Sequence, residues 1–155
     1  MTTVQQPTEV PPGAYQMEDG LARLRAGRCP ECGALFCPPR LACAGCGHRR
    51  LDEVLLAPQG TVYTFTQVHQ STPEFRAPYV LAYVDFPEQV RVMLPVLGDQ
   101  APPIGATVQI VEAPGPRIVD GELEMGPHAQ VVMAPAQAGT AQAGTAQAER
   151  NGSDG

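Results

Sequence analysis

The sequence predicts a mainly β protein, in which a small metal-binding module precedes a five-stranded barrel or sandwich. Two pairs of cysteines with C-x2-C spacing lie between residues 29 and 46. From residue 54 onward, short stretches rich in β-branched residues follow one another with no helical pattern between them. The 17 prolines and 16 glycines among 155 residues indicate many turns and short elements.

The composition divides the chain into five segments. The first is polar and Pro-rich, and the last repeats the unit AQAGT, so neither has enough apolar surface to offset the entropy of ordering its backbone. The predicted segments are a disordered lead at 1–13, a short helix at 14–28, a cysteine ribbon at 29–53, a barrel at 54–135 and a disordered tail at 136–155.

The helix prediction depends on the spacing of three apolar residues. Met17, Leu21 and Leu24 are four and three residues apart, which places them on one helical face. Gly20 lies within this stretch and weakens the pattern, because glycine is a poor helix former.

Five strands are predicted in the barrel segment. Their sequences are rich in valine, the first two also contain aromatic residues, and glycine or proline lies near their ends. Only a Pro-Glu pair separates the second from the third, which predicts a tight hairpin. The predicted strands are residues 60–69, 79–86, 89–98, 107–113 and 129–135.

The four outer cysteines follow the pattern C-x2-C-x10-C-x2-C. Two residues between thiolates let both sulfur atoms reach one ion, and a glycine after each pair permits the tight turn that this requires. Four thiolates complete a closed tetrahedral shell, so the ion is structural and not catalytic. The predicted ligands of a Zn²⁺ ion are Cys29, Cys32, Cys43 and Cys46. Iron would use the same four thiolates, and disulfides or a redox pair are the weaker alternatives.

Cys37 does not belong to this pattern. It could be a nucleophile or a redox sensor, but the base nearest to it in sequence is His48, beside the second cysteine pair. The favoured interpretation is a small packing residue on the loop between the two pairs. His69, at the end of the first barrel strand, could likewise serve catalysis or simply be a strand-end residue.

Charge and composition exclude several classes of protein. The net charge of −6 argues against a general nucleic-acid binder. The N-terminus has neither the basic nor the apolar region of a secretory signal, and no apolar run is long enough to span a bilayer. A cytoplasmic location is therefore expected, and it agrees with reduced thiols.

Residues 15–135 resemble a known family of zinc-ribbon/OB-fold proteins, the DUF35 family. The resemblance depends on the two C-x2-C-G motifs, the Pro-Pro-Arg that ends at Arg40, and the stretches "GTVYTFTQVH" and "APYVLAYVDF". It implies a helical N-terminus, a rubredoxin-like zinc ribbon and a five-stranded OB-fold barrel. It also implies a non-catalytic accessory subunit of a thiolase-like enzyme (a thiolase, aldolase or acyltransferase), which in some members helps to hold or channel the CoA thioester.

Three arginines are candidates for contact with the partner enzyme or with the CoA phosphates. Arg40, Arg49 and Arg50 lie in the ribbon, and the guanidinium fork suits phosphate and carboxylate groups. A solvated surface is the competing interpretation. The alternative function is a single-stranded nucleic-acid-binding module, because OB-fold barrels bind such strands with stacking aromatic residues and a basic groove. Independent catalysis through Cys37 or His69 is the third hypothesis.

Overall fold

The computed structural model describes residues 13–135, and every regular element in that range is a β-strand. The predicted tail and residues 1–12 of the predicted lead lie outside the described residues. The nine strands are β1 (Tyr15–Glu18), β2 (Leu21–Arg28), β3 (Leu35–Phe36), β4 (Asp52–Leu55), β5 (Gln59–Val68), β6 (Tyr79–Asp85), β7 (Arg91–Pro95), β8 (Thr107–Val119) and β9 (Glu122–Met133).

The predicted helix at 14–28 is wrong, because this segment forms the β1–β2 hairpin. Asp19 and Gly20 make the connection, with φ angles of 52° and 80°. An Asp-Gly pair with two positive φ angles is typical of the tight turns that suit the twist of paired strands. In β2 the burial alternates with a period of two, and its buried face is formed by Ala22, Leu24 and Ala26. Leu21 is only partly buried, so the spacing that suggested a helical face does not correspond to one face of the strand.

The N-terminal strands form a small sheet around β2. β1, β3 and β4 each pair with β2 in antiparallel register. Arg23 of β2 fastens this sheet to the next segment, because its Nε donates to the carbonyl of Leu56 at 2.9 Å. Its guanidinium also pairs with Glu18 at 2.7 Å, so one side chain joins the hairpin to the start of the barrel segment.

The remaining strands form a five-stranded sheet in the order β7-β6-β5-β8-β9. The sheet closes where Val96 bridges Ala129 in parallel, and the N–H of Leu97 donates to the carbonyl of Ala129 at 2.9 Å. Closure removes the free edges that an open sheet would leave, and five strands in this order are those of a small OB-type barrel.

The last hairpin is longer than the sequence pattern indicates. β8 has 13 residues and β9 has 12, whereas only 107–113 and 129–135 are predicted as strands. Asp120 and Gly121 form its turn with φ angles of 52° and 84°, a second Asp-Gly connection. The sequence does not predict this part of the hairpin, because "PGPRIVDGE" contains prolines, which are rare in regular strands. In the structure the strand pairing is irregular between Pro114 and Ile118.

One hydrophobic core joins the two sheets. Its barrel part includes Val62, Val84 and Ile110, which are at most 1% exposed. Ala22, Leu24 and Ala26 of β2 belong to the same cluster. The hairpin therefore covers part of the barrel and is not a separate unit beside it.

No helix within residues 13–135 is long and apolar enough to cross a membrane.

Replacing Gly60 with alanine is expected to destabilise the barrel. An added Cβ would lie 2.5 Å from Cγ1 of Val84 and 2.8 Å from the carbonyl oxygen of Asp85, so the two paired strands would have to separate. Overpacking of this kind costs about 1–3 kcal/mol in the free energy of unfolding, which urea denaturation measures. Gly126→Ala is the control, because nothing lies within 4 Å of its added Cβ. Equal stability of the two variants would contradict the packing argument.

Candidate metal centre and the surfaces around it

The two cysteine pairs form two similar tight turns. The N–H of Gly33 donates to the carbonyl of Cys29 at 2.9 Å, and the N–H of Gly47 donates to that of Cys43 at 3.0 Å. Both glycines have positive φ angles, 73° and 77°, a conformation that residues with a Cβ rarely adopt. The sequence therefore dictates both turns locally.

These turns bring the four sulfur atoms together. The Sγ atoms of Cys29, Cys32, Cys43 and Cys46 all lie within 4.8 Å of one another. The Cys29–Cys46 and Cys32–Cys43 separations are 3.5 Å each, far beyond a disulfide bond of about 2.05 Å. A tetrahedral zinc site with Zn–S distances of about 2.3 Å has sulfur–sulfur edges of about 3.8 Å. The cluster could therefore hold one structural metal ion, and its size suits zinc.

The pKa shifts of the cysteines also favour a bound cation. The backbone N–H of Cys46, aided by that of Gly45, lowers the pKa of Cys43 to about 6. The N–H of His48 acts to lower the pKa of Cys46, but the neighbouring Cys29 thiol, burial and the other thiols outweigh it and raise that pKa to about 12. The crowded thiols and their burial thus oppose ionisation of Cys46, whereas backbone N–H groups favour the thiolate of Cys43. A bound divalent cation would offset this opposition and favour the thiolate form of its ligands.

Cys37 has the surroundings of a packing residue. Its side chain is half-buried against the core, and its Sγ donates to the carbonyl of Arg25 at 3.5 Å. Desolvation raises its pKa to about 11. A thiol with so high a pKa is protonated at neutral pH and is therefore a poor nucleophile. The structure shows no hydrogen bond between Cys37 and His48 or His69, and His69 is exposed.

The three candidate arginines lie on the exposed surface of the ribbon. The Cζ atom of Arg40 is 5.1 Å from the centre of the Phe36 ring, so the guanidinium is braced against an aromatic face. Its neighbour Leu41 is 95% exposed. Arg49 and Arg50 are exposed, and neither forms a hydrogen bond or ion pair with any residue in the described range.

The outer wall of the barrel carries an aromatic surface. Tyr63 and Tyr83 are 52% and 43% exposed, whereas Phe86 is buried in the core. Arg91 lies over the Tyr63 ring with its Cζ atom 3.3 Å from the ring centre. The same guanidinium donates to both oxygens of Asp85 at 2.6 and 3.0 Å. The hydrogen bonds from Arg91 lower the pKa of the Asp85 carboxyl, so the two charges stay paired.

Two protein-family descriptions match consecutive parts of the chain. Residues 21–52 match the rubredoxin-like zinc ribbon domain of ChsH2, and residues 53–112 match the C-terminal OB-fold domain of ChsH2. The two matches together cover more than half of the chain. They agree with the ribbon and the barrel that the structure contains.

Similar proteins have related names. The benzoylsuccinyl-CoA thiolase subunit BbsA of Geobacter metallireducens is 33% identical over 82 residues, which are 53% of this chain and 56% of that protein. A DUF35 domain-containing scaffold protein of Methanocaldococcus jannaschii is 35% identical over 68 residues, covering 42% and 48% of the two chains. The chain thus spans about half the length of these relatives.

A solved structure extends the similarity to three dimensions. The Ltp2-ChsH2(DUF35) aldolase superimposes with a TM-score of 0.55 at 33% identity, over 70% of this chain and 84% of that chain. The family expected from the cysteine motifs and the first barrel strand is therefore confirmed. With both domains matched in order and the same fold in space, this chain belongs to the DUF35 family of zinc-ribbon and OB-fold proteins.

Proposed function

We propose that the chain is a non-catalytic accessory subunit that binds a thiolase-like enzyme: a thiolase, an aldolase or an acyltransferase. The observation that carries this proposal is the similarity to a chain of the solved Ltp2-ChsH2(DUF35) aldolase, together with the matches of ribbon and barrel to the two ChsH2 domains. The names of two relatives, a thiolase subunit and a scaffold protein, point the same way. A family fold alone would not fix the function, so the proposal also depends on the chemistry of the site.

That chemistry favours a scaffold over an enzyme. A metal held by four cysteines has no open position for water or substrate. The remaining thiol, Cys37, is protonated at neutral pH, because its pKa is about 11. His69 is exposed at the end of β5 and is hydrogen-bonded to no residue in the described range. The groups that sequence alone offers for independent catalysis are therefore poorly placed for it.

The metal is assigned a structural role. Zn²⁺ is the proposed ion, and an iron ion would use the same four thiolates; the proposed ligands are Cys29, Cys32, Cys43 and Cys46. A ribbon of about twenty residues cannot bury a core of its own, so metal binding supplies much of its folding free energy. The proposed domain limits remain 29–53 for the ribbon and 54–135 for the barrel.

The proposed contact surface consists of four exposed residues of the ribbon: Arg40, Leu41, Arg49 and Arg50. Leu41 offers an apolar side chain that is almost wholly exposed. Arg40 is already ordered on Phe36, so binding it costs less side-chain entropy than binding a free arginine would. The arginines would meet acidic groups of the partner or the phosphates of a CoA thioester.

The alternative function, binding of single-stranded nucleic acid, has weaker support from the barrel surface. The barrel does expose Tyr63 and Tyr83, as a stacking platform requires. The cation beside them, Arg91, is paired with Asp85, and the chain carries a net charge of −6. Affinity for a phosphate backbone needs an excess of positive contacts.

The proposed location is the cytoplasm, because cysteines stay reduced there and remain able to bind a metal ion.

Removing one metal ligand is expected to abolish metal binding without unfolding the barrel. The purified chain should contain about one zinc or iron ion, and Cys43→Ser should contain almost none, because three thiolates bind far more weakly than four. Elemental analysis measures the content, and circular dichroism reports the remaining β structure. Cys37→Ser is the matched control and should retain its metal. Loss of metal from both variants, or of all β signal from Cys43→Ser, would overturn the assignment.

The accessory role is tested by co-purification with the product of any thiolase-like gene that lies beside the gene for this chain. We expect a stable complex, and Leu41→Ser combined with Arg40→Ala should weaken it by about tenfold or more, as loss of a central contact does. Ile104→Ser is the control, because Ile104 is an apolar barrel residue that is 60% exposed. Failure of the wild-type chain to bind or to change the enzyme's activity would refute the role. An intact complex with the double variant would refute the proposed contact at Arg40 and Leu41, but not the accessory role.

A further inference from the structure

Two adjoining cavities lie where the loop 70–78 crosses the long β8–β9 hairpin. Their volumes are about 240 and 460 Å³, and the larger lies within the range of small-molecule sites, roughly 300–1,000 Å³. We name them together the hairpin groove. The residues that line both cavities are Tyr79, Pro95, Gly115, Pro116 and His128.

The groove results from the irregular part of the hairpin. Regular pairing is interrupted between Pro114 and Ile118, which parts the two strands locally. The loop then holds the displaced segment in place: the N–H of Arg76 donates to the carbonyl of Pro116, and the N–H of Ile118 donates to that of Glu74, both at 2.7 Å. These two backbone hydrogen bonds between the loop and β8 indicate that the groove is pre-formed.

The larger cavity is lined mostly by apolar side chains. Leu81, Met93 and Met125 belong to its walls. Its two charged residues, Arg117 and Glu124, pair with each other at 3.3 Å. Arg76 lines only the smaller cavity and is exposed. The lining therefore favours a ligand that is largely apolar.

His128 supplies the polar group in this apolar lining. It is only 3% exposed, and its Nδ1 lies 2.9 Å from the carbonyl oxygen of Gly126. A carbonyl only accepts, so Nδ1 carries the proton and Nε2 presents a lone pair. Within residues 13–135, Nε2 has no hydrogen-bond partner.

The backbone leaves space beside that nitrogen. A Cβ on Gly115 would lie 3.3 Å from Cε1 of His128 and 3.5 Å from its Nε2, so the glycine keeps the imidazole edge open. Burial lowers the pKa of His128, which keeps the ring neutral at physiological pH. A neutral imidazole with an available lone pair suits a hydroxyl donor better than an anion.

We propose that the hairpin groove binds a neutral, apolar small molecule whose hydroxyl group donates a hydrogen bond to Nε2 of His128. The apolar walls provide most of the affinity, and the lone pair of Nε2, which faces the groove, selects the donor. A ligand without a donor leaves this nitrogen unsatisfied, whereas a carboxylate would place a charge in the apolar cavity and direct a second acceptor at Nε2. This site is independent of the accessory role.

Three probes that share a 4-methylphenyl group test the proposal on the full, metal-loaded chain. They are p-cresol, which has the donor; 4-methylanisole, in which a methyl group blocks it; and 4-methylbenzoate, which is anionic. We expect p-cresol to bind about three- to tenfold more tightly than 4-methylanisole, the ratio that one hydrogen bond provides, and 4-methylbenzoate to bind weakest. Titration calorimetry gives the affinities. Nitrogen-15 NMR should show the Nε2 resonance of His128 moving on addition of p-cresol.

Two variants assign the effect to this nitrogen. His128→Phe keeps a ring of similar shape and should abolish the preference for p-cresol. Gly115→Ala keeps the histidine but places a methyl group beside Nε2, and it should lower the affinity for p-cresol by a similar factor. If His128→Phe fails to fold, Gly115→Ala alone provides the test. The proposal is overturned if p-cresol does not bind, if 4-methylbenzoate binds more tightly than p-cresol, or if both folded variants retain the preference.

Discussion

The packing of β2 against the barrel is the constraint on which the rest of the structure depends. Ala22, Leu24 and Ala26 form its buried face and belong to the same core as the barrel strands. Because small residues predominate on this face, β2 can approach the barrel closely. Arg23 reinforces the contact by donating to the carbonyls of Leu55 and Leu56. The first metal-site cysteine, Cys29, follows directly after β2. The packing of β2 against the barrel therefore determines the position and direction of the chain where the ribbon begins.

This arrangement gives the metal a restricted task. The ion does not have to hold ribbon and barrel together, since apolar packing and backbone hydrogen bonds of β2 already do so. Its proposed task is to close the segment from Cys29 to Gly47, which contains the two glycine turns and few buried residues. Arg40, braced on Phe36, and the exposed Leu41 lie within this segment. In the proposed accessory role, the closed segment would present these side chains to the enzyme partner.

Local chemistry explains what the sequence could and could not predict. The cysteine spacing and the glycines Gly33 and Gly47 determine the two turns over a few residues, so the metal cluster is predictable. The Met17–Leu21–Leu24 spacing fits a helix, but the Asp-Gly turn at Asp19 interrupts the stretch and pairs its two halves as a hairpin, which a periodicity of apolar residues does not detect. Long-range pairing is harder to infer. The groove beside His128 exists only because β8 and β9 lose register near two prolines and a distant loop bonds to them, which no local pattern indicates.

Native-state hydrogen exchange of the metal-loaded chain tests most directly whether β2 makes one cooperative unit with the barrel. The N–H of Leu56, bonded to the carbonyl of Leu24, reports on this junction, and the N–H of Val62, bonded to that of Ala106, reports on the barrel. We predict that both exchange with the same opening free energy, that of global unfolding, and that the Gly33 and Gly47 amides of the metal turns exchange with a lower one. After metal removal, Leu56 and Val62 should stay protected while both turns lose protection. Exchange of Leu56 together with the turns, at a free energy below that of Val62, would contradict the account.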